Sequence, residues 1–444
     1  MGNGKISRVQ RTVALLLALV MLVLVPAGCG QAPAQPSGKA KEIVIEYWNI
    51  NNESFGGPSV AKLIEEFNAK NGKGIKVVNK FVPEAYKGLT QNLQAAIASG
   101  NYPGVVQMGY NYLNYAAESF PYTSPEDIIA KYFPGDKTYL ADNFSANVLD
   151  LARVGNGKLV GMPYSLSSPI MYINGDLFRK AGLNPDNPPK TWNEVREAAK
   201  IIKEKTGEFG FYLQHAGDNW AQQALLESAG ARMIKYENGK ASATFYSPEA
   251  VKAYSELAEL YAAKISPMVT ENEGMAAFVG GKIGMMVMTV GRRKFVQDSS
   301  KFDLRTTTFP EFTGQKRRVG TGGNMLMIFA KDEEKQKACW EFIKFMYEPS
   351  SLTEWTKGTG YLPPRKGVAD DPKGLKPFFD ENIIMKPALA QMSDAVSWVS
   401  WPGSNGLKVE QLLVDTRDAI LSGSKTADQA LKEAQDKINV MIKQ

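Results

Sequence analysis

The chain has 444 residues, 44% hydrophobic and 22% charged, with a formal net charge of +6 that falls to +3 once the leader cations Lys5, Arg8 and Arg11 are set aside. Its basic clusters, RRKF at 292–295 and KRR at 316–318, read as solvated surface, so the chain lacks the concentrated positive stripe of a nucleic-acid binder. The single histidine, His215, excludes multi-histidine metal sites and confines Ser-His-Asp or Cys-His chemistry to one residue. A glycosidase needs only two carboxylates, so that class stays open, with Glu53 and Asp218 as its candidates.

At the start of the chain, the three leader cations precede an apolar run over 13–25 and the small residues Ala27 and Gly28. These are the parts of an export signal, and the run is shorter than the about 20 residues that span a bilayer. Pro26-Ala27-Gly28-Cys29 resembles the lipobox of bacterial lipoproteins, with Pro26 where that motif usually has Leu. The resemblance implies that 1–28 is removed as a signal peptide and that Cys29 is acylated; the alternative is an ordinary secreted protein cut near Ala32-Pro33-Ala34. The mature chain would then be anchored to the outer face of the cytoplasmic membrane, on the periplasmic side if two membranes are present. Residues 29–40 (CGQAPAQPSGKA) read as the lipidated cysteine and a flexible tether. The other cysteine, Cys339, lies among Trp340, Phe342, Ile343 and Met346 in a helical pattern and reads as a small buried apolar residue, so no disulfide is expected.

The folded part begins with a strand over 43–48. A helix follows, with Val60, Leu63, Ile64 and Phe67 on one face, Ser59 as its cap and Gly72 as its stop. A strand (KVVNKFV), a helix carrying Leu89, Leu93, Ala96 and Ile97, and a strand over 105–108 complete a β-α-β-α-β unit. Parallel strands so joined cross over right-handedly, and ligands bind beyond their carboxyl ends. The segments 49–55 (NINNESF) and 109–115 (GYNYLNY) are therefore expected to line a cleft. Tyr110, Tyr112 and Tyr115 among Asn111 and Asn114 fit either a helix start with half-buried rings or sugar recognition. In the latter, rings stack on pyranose C–H faces and carboxamides pair with hydroxyls; the position after a parallel strand favours it.

A second α/β block follows KLVGMPYSLSSPIMYI. Thr191 and Glu194 form a capping box before a helix, and FGFYLQ leads into a loop that holds His215, Asp218, Asn219 and Trp220. His215 fits either a structural or a ligand-facing role there. Ser247-Pro248-Glu249 opens another helix, and KIGMMVMTV reads as a strand buried on both faces. VGTGGN at 319–324 has no GK[ST] and precedes the strand MLMIFA instead of joining a strand to a helix, which argues against a nucleotide loop. Its glycines serve turning and close backbone approach. Trp398 and Trp401 are too large to leave exposed, and so pack in the core or face a ligand.

Several stretches together resemble the large extracellular solute-binding proteins, family 1, of bacterial ATP-driven (ABC) importers. The most specific is PYSLSSPIMYINGDLFRKAGLNPDNPPKTWNEV at 163–195. FVGGKIGMMV, GTGYLPPRK at 358–366 and KTADQALKEAQDKI extend the similarity over nearly the whole mature chain. The resemblance implies an α/β, two-lobed periplasmic-binding-protein fold of type II. Its lobes would be 41–164 plus 321–363 and 165–320 plus 364–444, with hinge crossings near 165–168, 320–324 and 362–365. Such lobes close around a solute like a hinged clam.

It further implies a non-catalytic, monomeric receptor without a cofactor, delivering its solute to an ABC permease. NPDNPPKTW and TGYLP are similar to the glycerol-3-phosphate-binding members, but the residues after the third strand and around GDNW depart from their pattern. The expected solute is therefore a carbohydrate, mono- or oligosaccharide. Glycerol-3-phosphate or a glycerophosphodiester is the alternative, and an extracellular glycosidase the rival class. Arg292, just after the buried strand, could grip an anion bidentately. By position, the expected ligand contacts are Asn49, Asn52, Glu53, Tyr110, Asn111, Ser167, His215, Asp218, Trp220, Arg292, Gly323, Tyr361 and Trp401.

Overall fold

A computed structural model describes residues 42–237 and 239–442, so the leader, Cys29 and the tether lie outside the described residues. β1 (Ile43–Asn49), β2 (Ile75–Phe81) and β3 (Val105–Gly109) are parallel, with β1 in the middle, and the helices Gly57–Lys70 and Ala85–Ala98 join them. This matches the β-α-β-α-β expectation. The first helix buries Val60, Leu63, Ile64 and Phe67, the face its spacing predicts; fully burying each such side chain contributes about 1.5–3 kcal/mol. Its N-cap, however, is Gly56, whose φ of 77° suits a residue without Cβ. Ser59 lies inside the helix and donates to Glu354 Oε1 at 3.0 Å instead of capping.

β4 (Met162–Ser167) and β5 (Pro169–Asn174) are separated by Ser168 alone, yet they belong to different sheets. β6 (Phe209–Leu213), the hairpin of β7 (Ile234–Glu237) and β8 (Lys240–Ala243), β9 (Ile283–Thr289) and β10 (Leu304–Thr308) follow, and β5, β6, β9 and β10 form the second sheet in the order β10-β5-β9-β6. Every residue of β9 is buried, as expected of a central strand. The capping box of Thr191 and Glu194 is formed.

The chain returns to the first sheet through β11 (Val319–Ile328), whose successive parts pair with β12 (Ala395–Ser397), β4 and β3. The VGTGGN glycines are thus inside a strand, not ahead of one, because β11 must hold three partners in ten residues. Gly323 adopts φ +111°, and a Cβ there would lie 2.0 Å from the Ser165 carbonyl oxygen. Beside it, Leu362 N–H donates to Leu166 O at 2.9 Å.

The helices Gly406–Leu421 and Ala427–Met441 pack on each other and on the helix Pro248–Ala262. Cys339 is a buried free thiol in the helix Glu333–Met346. The cluster at 292–295 is solvated surface only in part: Lys294 is exposed, whereas Arg292 and Arg293 are buried, held by partners described next or by the Lys357 carbonyl.

Candidate functional site

The loops after β1 and β2 in the first sheet face the loops after β6 and β9 in the second, enclosing a cavity of about 600 Å³. Both pairs are parallel, so the cavity lies beyond carboxyl strand ends, where open α/β sheets place ligands. Its volume suits a small molecule, within roughly 300–1,000 Å³.

One side is aromatic. Phe55, Phe81, Tyr86, Tyr361 and Trp398 line it. Tyr86 and Trp398 meet edge to face at 6.3 Å, and Tyr361 stacks on Trp355 at 5.7 Å while leaning on Phe55. The Tyr86 hydroxyl accepts a hydrogen bond from Asn324 Nδ2 at 2.9 Å. Gln223 pins the backbone around Trp398, donating to Ser397 O and accepting from Val399 N–H, both at 3.0 Å. Trp220 closes one end: its indole N–H donates to Gly320 O at 2.8 Å, and a Cβ on Gly322 would strike its ring at 2.7 Å.

The other side is charged, and its charges are largely paired. Arg292 Nε and Nη2 donate to one oxygen of Glu271 at 3.1 and 2.7 Å, while the other oxygen accepts from Gln214 Nε2 at 3.2 Å. The same guanidinium lies 4.0 Å over the Phe55 ring and donates to Ser54 Oγ at 3.2 Å, bonding the two sides across the cavity. Lys87 Nζ makes a second crossing, to Gln411 Oε1 at 2.6 Å. Arg417 donates to the carbonyls of Ala216 and Asp218 and to Asp418 Oδ1 at 2.8 Å. His215 Nε2 sits 2.9 Å from that same oxygen. Burial alone would push Asp418 up, but the hydrogen bonds from His215 and Arg417 outweigh it and hold the carboxyl at about 2. Asp218 is pushed up to about 6, mainly by burial, although it keeps part of its surface on the cavity.

Of the residues expected from sequence, Asn52, Ser167, His215 and Asp218 line the cavity, as do Trp220, Arg292, Gly323 and Tyr361. The others do not. Asn49 is buried and spends its side chain on β2 and on the loop after β1, donating to Asn79 Oδ1 at 2.7 Å and accepting from Asn51 N–H at 3.1 Å. Tyr110 and Asn111 fall in a 3-10 turn that directs both into the core. Trp401 packs with Val409, Leu413 and Leu431 under the C-terminal helices. Glu53 is exposed away from the cavity, so it and Asp218 do not form a carboxylate pair there.

Sequence reasoning placed Phe55 in a cleft-lining segment and held Trp398 between core and ligand, but missed Tyr86, Gln214, Glu271, Arg417 and Asp418. The carboxyl-end rule that selected the loops after β1 and β3 would have found Tyr86 had it been applied to β2.

A family model described as bacterial extracellular solute-binding protein matches residues 62–391. The chain belongs to this family. Its members are binding proteins that serve as receptors of ABC importers. The sn-glycerol-3-phosphate-binding periplasmic protein UgpB of Escherichia coli K12 is 25% identical over 439 residues, covering 91% of this chain and 94% of that protein. Among solved structures, maltose-bound MalE3 of T. maritima (TM-score 0.77, 23% identity) covers 90% of this chain and 99% of its own. UgpB of Mycobacterium tuberculosis in complex with glycerophosphocholine (TM-score 0.77, 21% identity) covers 90% and 98%. This solute-binding protein therefore has the two-lobed α/β fold of the periplasmic binding proteins.

Proposed function

We propose that this receptor captures a neutral carbohydrate, a mono- or oligosaccharide, and hands it to an ABC permease. The observation that carries the reading is the pairing of charges in an aromatic cleft. Arg292 is neutralised by Glu271 and Arg417 by Asp418, while Glu84 and Asp218 on the cavity exceed the one remaining cation, Lys87. A phosphate dianion would meet no free guanidinium and would face net negative charge. A sugar needs what is present: flat rings for its C–H faces, and carboxylates and amides for its hydroxyls. Asn52, Ser167, His215, Asp218, Trp220, Arg292, Gly323 and Tyr361 belong to this proposed site, joined by Phe55, Tyr86, Trp398 and Glu271.

A second reading, glycerol-3-phosphate or a glycerophosphodiester, is supported by the ligands of the UgpB relatives, sn-glycerol-3-phosphate and glycerophosphocholine. Calorimetric titration of maltose, longer maltooligosaccharides, monosaccharides, glycerol-3-phosphate and glycerophosphocholine separates the two. Heat from at least one sugar and none from the phosphates is expected. Tight binding of a phosphate with silence from every sugar would replace the first reading by the second.

The proposed lobes are 41–164 plus 321–363 and 165–320 plus 364–444; the change of sheet at Ser168 and the side-by-side run of Leu166, Gly323 and Leu362 support hinges there. β12 belongs by pairing to the first sheet, so the last boundary is interleaved with it. The receptor acts as a monomer in this proposal, exported and held at the membrane by an acylated Cys29 on the tether of residues 30–40. One lipid chain would hold only reversibly, so the anchor requires the multiply acylated cysteine that the lipobox implies. Cys29→Ser should release the protein from washed membranes with solute binding intact; retention in the membrane fraction would contradict the anchor.

A further inference from the structure

Next to the cleft, the loop after β3 meets the helix Gly406–Leu421 along a buried polar seam. Asn111, 1% exposed, comes from the side of the first sheet, and Glu410, 3% exposed, from the helix. Among the described residues, both amide atoms of Asn111, the Tyr112 hydroxyl and Glu410 Oε2 lack a hydrogen bond of normal geometry, although the Asn111 side chain lies near enough to favour the charged forms of both Tyr112 and Glu410. The titratable groups facing Glu410 are Asp218, on the cavity, and the Tyr112 phenol. Arg417, two turns along the same helix, and Glu271 act on Asp218 and not on Glu410. Lys87 reaches the same helix at the next residue, bonding Gln411 and not Glu410, and among the described residues no cation forms a salt bridge with Glu410. An ionised Glu410 would thus be a buried anion without a counter-ion, next to a second carboxylate. Burial, with the Asp218 charge adding to it, outweighs the pull of the Asn111 amide and the Asn219 N–H and pushes Glu410 up to about 8.

We propose that Glu410 is a positioning residue that stays protonated in the seam between the two sides of the cleft, leaving Asp218 free to face the solute ionised and making the joining of the two sides sensitive to pH. The inference rests on the solute-receptor reading and extends it to how the two sides are held together. A carboxyl raised by burial binds a proton in the seam over a window in which it is ionised in water, from about 4.3 upward. Forming the seam therefore takes up a proton between that value and about 8. The seam weakens as pH rises through the window, by up to about tenfold per pH unit, and the effect flattens above it.

Thermal unfolding of the ligand-free wild type and of Glu410→Gln, followed from about pH 5 to about pH 9, reads the proton without a solute. The variant should gain midpoint temperature over the wild type progressively up to about pH 8, with a constant gap beyond. A gap that is the same at every pH would overturn the proposal. If the variant does not fold, infrared spectroscopy of the wild type decides: a protonated carboxylic acid band persisting above pH 7 supports it, and loss of the band by pH 6 overturns it. Maltose titrated near pH 7 and pH 8 adds the functional arm, in which the wild type weakens several-fold and Glu410→Gln does not. Equal weakening of both proteins would also overturn the proposal. If no sugar binds at any pH, the solute reading falls, while the unfolding comparison still decides the proton.

Discussion

The loops that follow the first sheet bring Phe55, Phe81, Tyr86 and, through β12, Trp398 to the cavity, whereas those that follow the second bring His215, Asp218, Arg292 and the Glu271 that pairs with it. The first side is held by ring contacts and by the pinning of Trp398; the second by hydrogen bonds among charges. The difference separates two jobs. Rings offer contact area without a strict angular demand, so they supply affinity for any flat, hydroxylated solute. Paired charges bring little net attraction for an outside ion, because each is already satisfied, but they fix where hydroxyls can bond. Arg292 joins the two, stacking on Phe55 while bonding Glu271 and Ser54.

The largest expected effect comes from unpairing the charged side. Glu271→Ala leaves Arg292, 7% exposed, without its partner, at a cost of about 3 kcal/mol or more in stability. Urea unfolding measures that loss. The same variant should gain affinity for glycerol-3-phosphate, since the guanidinium becomes free to grip an anion; unchanged silence toward phosphate would show that Arg292 does not face the solute. Next is the aromatic side. Trp398→Ala should weaken sugar binding by about 2 kcal/mol, roughly 30-fold in Kd, together with a loss of stability, since the ring is buried. A loss confined to stability would make Trp398 a core residue and dissolve the contrast between the walls.

The smallest effect concerns Asp418, whose carboxyl is held at about 2. A depressed carboxylate stabilises the fold above its unfolded value, near 3.9, and that contribution is lost as pH falls through the window down to about 2. Asp418→Asn should therefore flatten the acid limb of the stability profile between about pH 4 and pH 2, lowering stability at neutral pH and leaving it almost unchanged near pH 2. Acid unfolding followed by circular dichroism checks it.

Much of the fold was legible because its elements carry clear periods and caps: Val60, Leu63, Ile64 and Phe67 on one helix face, the Thr191–Glu194 box, and the all-apolar β9. The site was legible where strand ends alone decide, as for Asp218, Trp220 and Arg292. It was illegible where the geometry of a turn or a distant partner decides. The 3-10 turn after β3 rotates Tyr110 and Asn111 inward, an orientation that composition does not encode. Trp398 and Trp401 are equal in sequence terms. Gln223, from another helix, holds one at the cavity, while the C-terminal helices cover the other. Arg292 and Arg293 looked solvated because their partners, Glu271, Ser54 and the Lys357 carbonyl, lie far along the chain.

The most direct test of a sugar held by rings between self-paired charges is a crystal structure of the receptor with the tightest-binding member of the titrated panel. The account predicts a sugar whose C–H face lies on Trp398 or Tyr86, whose hydroxyls bond Asp218 or Glu271, and beside which the Arg292–Glu271 pair is intact. A phosphoryl or carboxyl group bonded by Arg292, with Glu271 displaced, would contradict it.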